Sequence, residues 1–186
     1  ALQRILAGVI KWTIYSDGTT DVHVEAKKDP VFPVLPRFGL RLFLPESFAK
    51  LTYCGLGPVE SYVDKHQASY HGVFHCTPAE QQEDYIRPQE NGSHYDCDYA
   101  SLASDRAVLT AVGEKTFSFQ ASIYTQEELT AKAHNYELRP CGSTVFCIDY
   151  RQAGIGSASC GPMLLEKYQL KETEISFDVR LKPELL

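Results

Sequence analysis

The sequence predicts an all-β protein, a large antiparallel β-sandwich interrupted by one short helix. Three observations lead there. Apolar residues recur at every second position in short runs, which turns one face of a pleated strand toward a core and the other toward water. Turn-forming Gly, Pro, Asn, Asp and Ser separate these runs. The 11 tyrosines and 9 phenylalanines, in a chain that is 44% hydrophobic, suit pleated and half-buried surfaces. With 186 residues there is enough chain for one domain with a real core, and no repeat, low-complexity run or linker divides it. Residues 1–186 therefore read as one domain.

Taken in order, Leu6 to Tyr15 is an apolar run that predicts a strand, and Ser16-Asp17-Gly18 supplies the turn after it. Thr20 to Ala26 alternates Val22 and Val24 with Asp21, His23 and Glu25, so the two segments predict an antiparallel pair. Lys27 to Pro30 and the prolines at 33 and 36 form the next loop. Leu40, Leu42 and Leu44 then alternate with Arg41 and Phe43, a Pro45-Glu46-Ser47 turn follows, and Leu51 to Cys54 is extended again, the signature of a β-hairpin. Gly55-Leu56-Gly57-Pro58 predicts a sharp turn that ends it. Ala68 to Cys76 reads as a strand that leaves the sheet, and the polar stretch 77–84 as an exposed loop or helical turn. Strands are predicted over His94–Leu102, Ala107–Val112 and Thr116–Ser122. Thr125 to Ala133 is the helix, with Thr125 as cap, Glu128 as its capping-box partner and Leu129 as the apolar contact. Asn135–Leu138, Thr144–Tyr150, Leu164–Leu170 and Thr173–Leu181 complete the strands, the last with clean alternation.

Several chemistries are disfavoured. A net charge of -6 and a pI near 5.5 argue against nucleic acid, which needs a basic face. No apolar run approaches the length that spans a bilayer, so no membrane partner is expected. The cysteines at 54, 76, 97, 141, 147 and 160 form no C-x-x-C pair and read as small buried hydrophobes, although spacing alone leaves a Cys141–Cys147 bridge, or one between distant strands, open. His66, His71, His75 and His94 with Cys76 and Cys97 have no recognised ligand spacing and predict no metal site. Asn91-Gly92-Ser93 fits a glycosylation pattern but reads as a tight turn. Glu60, Glu90 and Asp149 are the carboxylates inside patterned stretches, and Glu90 is expected to hold the Pro88–Gly92 turn. Gly154-Ile155-Gly156-Ser157-Ala158-Ser159-Cys160-Gly161-Pro162, glycine-rich and small, can approach another surface closely.

The stretches PRFGLRLFLP and YCGLGPVESYVDK, followed by Arg87-Pro88-Gln89-Glu90-Asn91-Gly92, Ile148-Asp149, Gly154-Ile155-Gly156 and Cys160-Gly161-Pro162, stand in one order over much of the chain. In this they resemble the C-terminal small-chain domain of family-2 glycoside hydrolases of the bacterial β-galactosidase type. The resemblance implies a galactose-mutarotase-like sandwich of which this chain lacks the earliest strands, leaving sheet edges either unpaired or covered by another copy. With no initiating methionine, the chain reads as a piece of a longer enzyme. The resemblance also implies a partner barrel domain that carries both catalytic carboxylates, a galactoside substrate, and an oligomer in some members. It implies no cofactor in this segment, any metal belonging to other domains, and no catalytic residue among residues 1–186. The 154–162 loop is then the substrate-proximal element, reaching across to the barrel's active site. Where the best-known members carry a sugar-stacking aromatic residue, this chain has Cys160, in a shorter loop. Two rival expectations are a carbohydrate-binding or purely structural module, using Trp12, Tyr62, Tyr85 or Tyr95, and a mutarotase-like enzyme with a sugar-facing histidine and carboxylate in one cleft. Compartment stays open between cytoplasm and periplasm.

Overall fold

The computed structural model describes residues 3–32, 34–155 and 163–186. Among them run nine strands and one α-helix: β1 (Leu6–Ile14), β2 (Thr20–Lys28), β3 (Arg37–Pro45), β4 (Lys50–Gly57), β5 (Tyr70–Cys76), β6 (Ser93–Ala103), β7 (Ala107–Ser122), α1 (Gln126–Ala131), β8 (Ser143–Gln152) and β9 (Glu174–Leu185). All strand pairs are antiparallel and belong to one hydrogen-bonded network in the order β1-β2-β9-β7-β6-β4-β5, with β8 joined to β7 and β3 to β8. The 16-residue β7 is the junction. Its first half pairs with β9 and its last five residues with β8, while β6 runs along its other side. Val22, Val24, Phe177 and Val179 from one limb meet Tyr53, Leu102, Phe119, Phe146 and Ile148 from the other in a single apolar cluster. The all-β sandwich expected from the alternation is therefore the fold, and Ile175, Phe177, Val179 and Leu181 of β9 all point into it.

Alternation identifies a buried face but not the strand that lies beside it. β3 and β4 do not form the expected hairpin: β3 pairs with β8 and β4 with β5 and β6. The Pro45 turn, closed by Phe48 N–H donating to Pro45 O at 2.9 Å, redirects the chain instead of folding it back on itself. The turn expected over Gly55–Pro58 comes at its end, with a cis Gly57–Pro58 peptide and a bend at Pro58 and Val59, while Gly55 and Gly57 themselves do not turn the chain. They stay in β4, where a side chain at Gly55 would strike Cys97 Sγ and one at Gly57 the Tyr53 hydroxyl. β5 remains in the sheet, and the two strands expected over 107–122 are one.

Thr125 caps α1 through Glu128 N at 3.1 Å and Leu129 is buried, but Glu128 gives its carboxylate to Arg139 N rather than closing a capping box. Asn135–Glu137 and Glu166–Tyr168 are single 3₁₀ turns where strands were expected. Too few residues there alternate to form a ladder, and among the described residues the second segment makes only the isolated Leu35–Leu170 β-bridge. Cys54, Cys76, Cys97, Cys141 and Cys147 are free thiols, with Cys147 buried and Cys141 exposed. At the end of the strand order, Ile10 and Trp12 of β1 sit opposite Val24 and Val22 on the inner face, yet remain about half exposed at 51% and 49%. No helix among the described residues is long and apolar enough to cross a membrane.

Candidate functional site

The patterned stretches of the sequence lie far apart along the chain but close together in space. Arg37 opens β3 and is carried by the β3–β8 ladder to Asp149, which it binds through Nε at 3.3 Å and Nη2 at 2.5 Å. Its Nη1 reaches Glu90 at 3.1 Å, and Gln152 of β8 donates to the other oxygen of Glu90 at 3.1 Å. One guanidinium thus joins β3, β8 and the 77–92 connection. A planar fork with five donors suits two carboxylates better than a point charge would.

Glu60 is the centre of a second cluster beside the first. Its side chain is buried and accepts from Lys65 Nζ, from the Tyr85 hydroxyl, from Gly92 N at 2.8 Å and from the Tyr62 hydroxyl at 3.4 Å. Asn91 stands beside it, accepting from Glu83 N at 3.0 Å and donating to Gln89 O at 2.9 Å, and its own carbonyl takes the Gln120 amide at 2.5 Å. Glu60 and Asn91, rather than Glu90, therefore hold the turn that ends in Gly92. Asn91 is buried, and Asn91-Gly92 lead directly into β6 at Ser93 rather than forming the tip of a tight turn.

Burial decides the electrostatics. It pushes Asp149 up from 3.8 to about 6 against the pull of Arg37, and it raises Glu90 in the same way, again against Arg37. Burial also works to lower Arg37, but Asp149 and Glu90 outweigh it, and the guanidinium stays charged. Next to Glu60, desolvation raises both Tyr62 and Tyr85. His94 is fully buried and pushed down to about 4 by desolvation, with Nδ1 3.0 Å from the Leu56 carbonyl and Nε2 against the Gln81 side-chain oxygen. A network in which each carboxylate is tied to a cation or to several donors serves as a brace. It is unlike the pair of accessible carboxyl groups flanking a bond that glycoside cleavage requires.

The start of the loop singled out by the sequence is held by Pro36 and Asp64. After β8, Ala153 N donates to Pro36 O at 2.9 Å and Ile155 N to Asp64 Oδ1 at 3.1 Å. Any side chain at Gly154 would lie 2.2 Å from the Asp64 carboxylate, so only glycine fits against it. Gly156, Ser157, Ala158, Ser159, Cys160, Gly161 and Pro162 lie outside the described residues. Gln152 Oε1, just before the loop, is buried with no partner among the described residues.

Of the aromatics expected to meet sugar, Tyr62 is buried and Tyr85 is bound to Glu60, whereas Trp12 is half exposed. The histidines do not assemble as a group. His94 is internal, His71 lies on the outer side of β5 near Asp98, and His23 bridges Asp178 and Glu25 on the outer face of β2. Sequence reasoning missed Arg37, Lys65, Tyr85 and Gln152 as members of the brace. Arg37 and Lys65 stood inside the family-like motifs, but Tyr85 and Gln152 carry no local signal.

Fold and site together define an all-β domain in which buried polar and charged side chains join β3, β8 and the 77–92 connection. The profile of the β-galactosidase small chain matches residues 3–181, and the chain belongs to that family. It is 47% identical to a β-galactosidase of Actinobacillus pleuropneumoniae over 178 residues, covering 95% of this chain and 17% of that protein. It is 39% identical to one from Staphylococcus xylosus over 182 residues, 98% of this chain and 18% of the relative. A Kluyveromyces lactis β-galactosidase is 28% identical over 176 residues. The chain thus spans less than a fifth of the length of the curated relatives it matches.

Proposed function

We propose that this chain is the non-catalytic C-terminal domain of a β-galactosidase, an enzyme that hydrolyses terminal non-reducing β-D-galactose, and that its 154–162 loop forms one wall of an active site supplied by a separate barrel domain. The observation that carries the proposal is that Pro36 and Asp64 hold the backbone at Ala153 and Ile155, directly after a β8 whose Asp149 and Gln152 are tied to Arg37 and Glu90. Buried charges at a loop base fix the loop's position, and a wall of small residues can stand close to a bound sugar. The carboxylates here are already engaged, so two from the barrel perform the double displacement, about 5 Å apart for retention. The half-exposed inner face of β1 supports the same reading, because a sandwich left open on one side fits a sheet that continues into a longer protein.

The purified 186-residue chain, checked for folding, is expected to give no turnover of a chromogenic β-galactoside, while the full-length protein hydrolyses it. Hydrolysis by the chain alone would overturn the division of labour.

A further inference from the structure

We propose that Cys54, His71 and Asp98 form a binding site for a borderline-soft divalent cation of the zinc class, tying three neighbouring strands together on the outer face of the sheet. The three belong to adjacent strands: Cys54 to β4, His71 to β5 on one side, Asp98 to β6 on the other. Their ligand atoms all lie within 4.8 Å of one another. Cys54 Sγ is 3.4 Å from Asp98 Oδ2, and His71 Nε2 is 3.3 Å from the same oxygen. These are the ligand-to-ligand edges of a tetrahedron around zinc, for which bond lengths of about 2.0–2.3 Å give edges of roughly 3.3–3.6 Å.

The backbone accounts for the grouping. In β4, Leu51, Tyr53, Gly55 and Gly57 point inward, so Cys54 faces out beside the half-exposed His71. In β6 the register shifts between Cys97 and Tyr99, with Cys97 and Ala100 both buried, so Asp98 and Tyr99 are both turned away from the core. A bulge of this kind re-aims one side chain, and here that side chain is Asp98, directed at Cys54. The nearby Asp96 carries a φ of +56°.

The donor set indicates the kind of ion. Thiolate and imidazole together favour zinc-class metals over magnesium or calcium, which take oxygen. Binding converts the Cys54 thiol to thiolate and releases its proton to solvent, while neutral imidazole and carboxylate supply the other two ligands. Water fills the fourth position, as in three-ligand zinc sites. Without metal, burial and then Asp98 keep the thiol protonated. None of the three residues belongs to the brace around Arg37 and Glu60, so the site stands apart from the proposed function. Its effect is to fasten edge strand β5 to β6 across β4.

The test uses the full-length protein, stripped of metal and titrated with cobalt(II), then with zinc(II) as competitor. The expected result is a thiolate-to-cobalt charge-transfer band in the near ultraviolet that Cys54→Ser abolishes and zinc displaces. Other sites in a long protein are common to both forms and cancel in the difference spectrum. His71→Gln and Asp98→Asn replace exposed side chains, and each is expected to weaken binding by more than about tenfold, since even outer-shell changes cost that much. An unchanged spectrum in Cys54→Ser, or wild-type affinity in both other variants, would overturn the site.

Discussion

His94 and Asp149 are buried titratable groups whose shifts oppose each other. His94 falls from 6.5 to about 4, so the unfolded chain binds the extra proton. Its contribution is complete above pH 6.5 and is lost as pH drops through that window, on the order of 3 kcal/mol. Asp149 rises from 3.8 to about 6, so the folded chain binds the extra proton. Its contribution is complete below pH 3.8 and is lost as pH climbs to about 6, again on the order of 3 kcal/mol. As far as these two groups go, wild-type stability is therefore nearly flat between about pH 4 and 6. In His94→Gln, urea unfolding should show stability falling as pH rises across that range. In Asp149→Asn it should fall as pH drops. Equal slopes in all three proteins would refute the assignment. Neither environment was legible beforehand, because a histidine two residues beyond Gly92 carries no mark of the aromatic packing with Tyr53 and Phe119 that encloses it.

Among the elements, strands were easier to find than their neighbours. β9 was visible because its alternation runs unbroken from Ile175 to Leu181, and β2 because Val22 and Val24 stand between charges. The β3–β4 hairpin was a wrong pairing. Both strands have a proper apolar face, but Leu40, Leu42 and Leu44 find their partners on β8 in Ile148, Phe146 and Thr144, far along the chain. Asn135–Glu137 and Glu166–Tyr168 failed for want of length. The β3–β8 ladder has a consequence that can be measured, since it brings Arg37 between Asp149 and Glu90. Arg37→Met leaves both carboxylates without their cation in a mostly buried site, and it should cost about 3–5 kcal/mol in unfolding free energy. Arg37→Lys, which keeps charge but loses the fork, should cost less. A loss below about 1 kcal/mol for the Met variant would place this pair with ordinary surface bridges.

For the whole molecule, β3, β8 and the 77–92 connection bring Arg37, Glu90 and Asp149 together, and Asp64 meets the backbone at Gly154 and Ile155. The collinear motifs were legible in the sequence, and so was their family. Their convergence was not, because it depends on which strand lies beside β8 and on a side chain as distant as Asp64. The proposed function has the loop that begins at Gly154 facing a galactoside bound by another domain. The most direct measurement is steady-state hydrolysis of a chromogenic β-galactoside by the full-length protein, with and without the loop after Ile155 shortened, folding being checked in both. Turnover is expected to fall on the order of 10²-fold with the fold intact, as when a positioning element of a site is displaced. Unchanged kinetics in a folded variant would contradict the account and leave the domain as a scaffold.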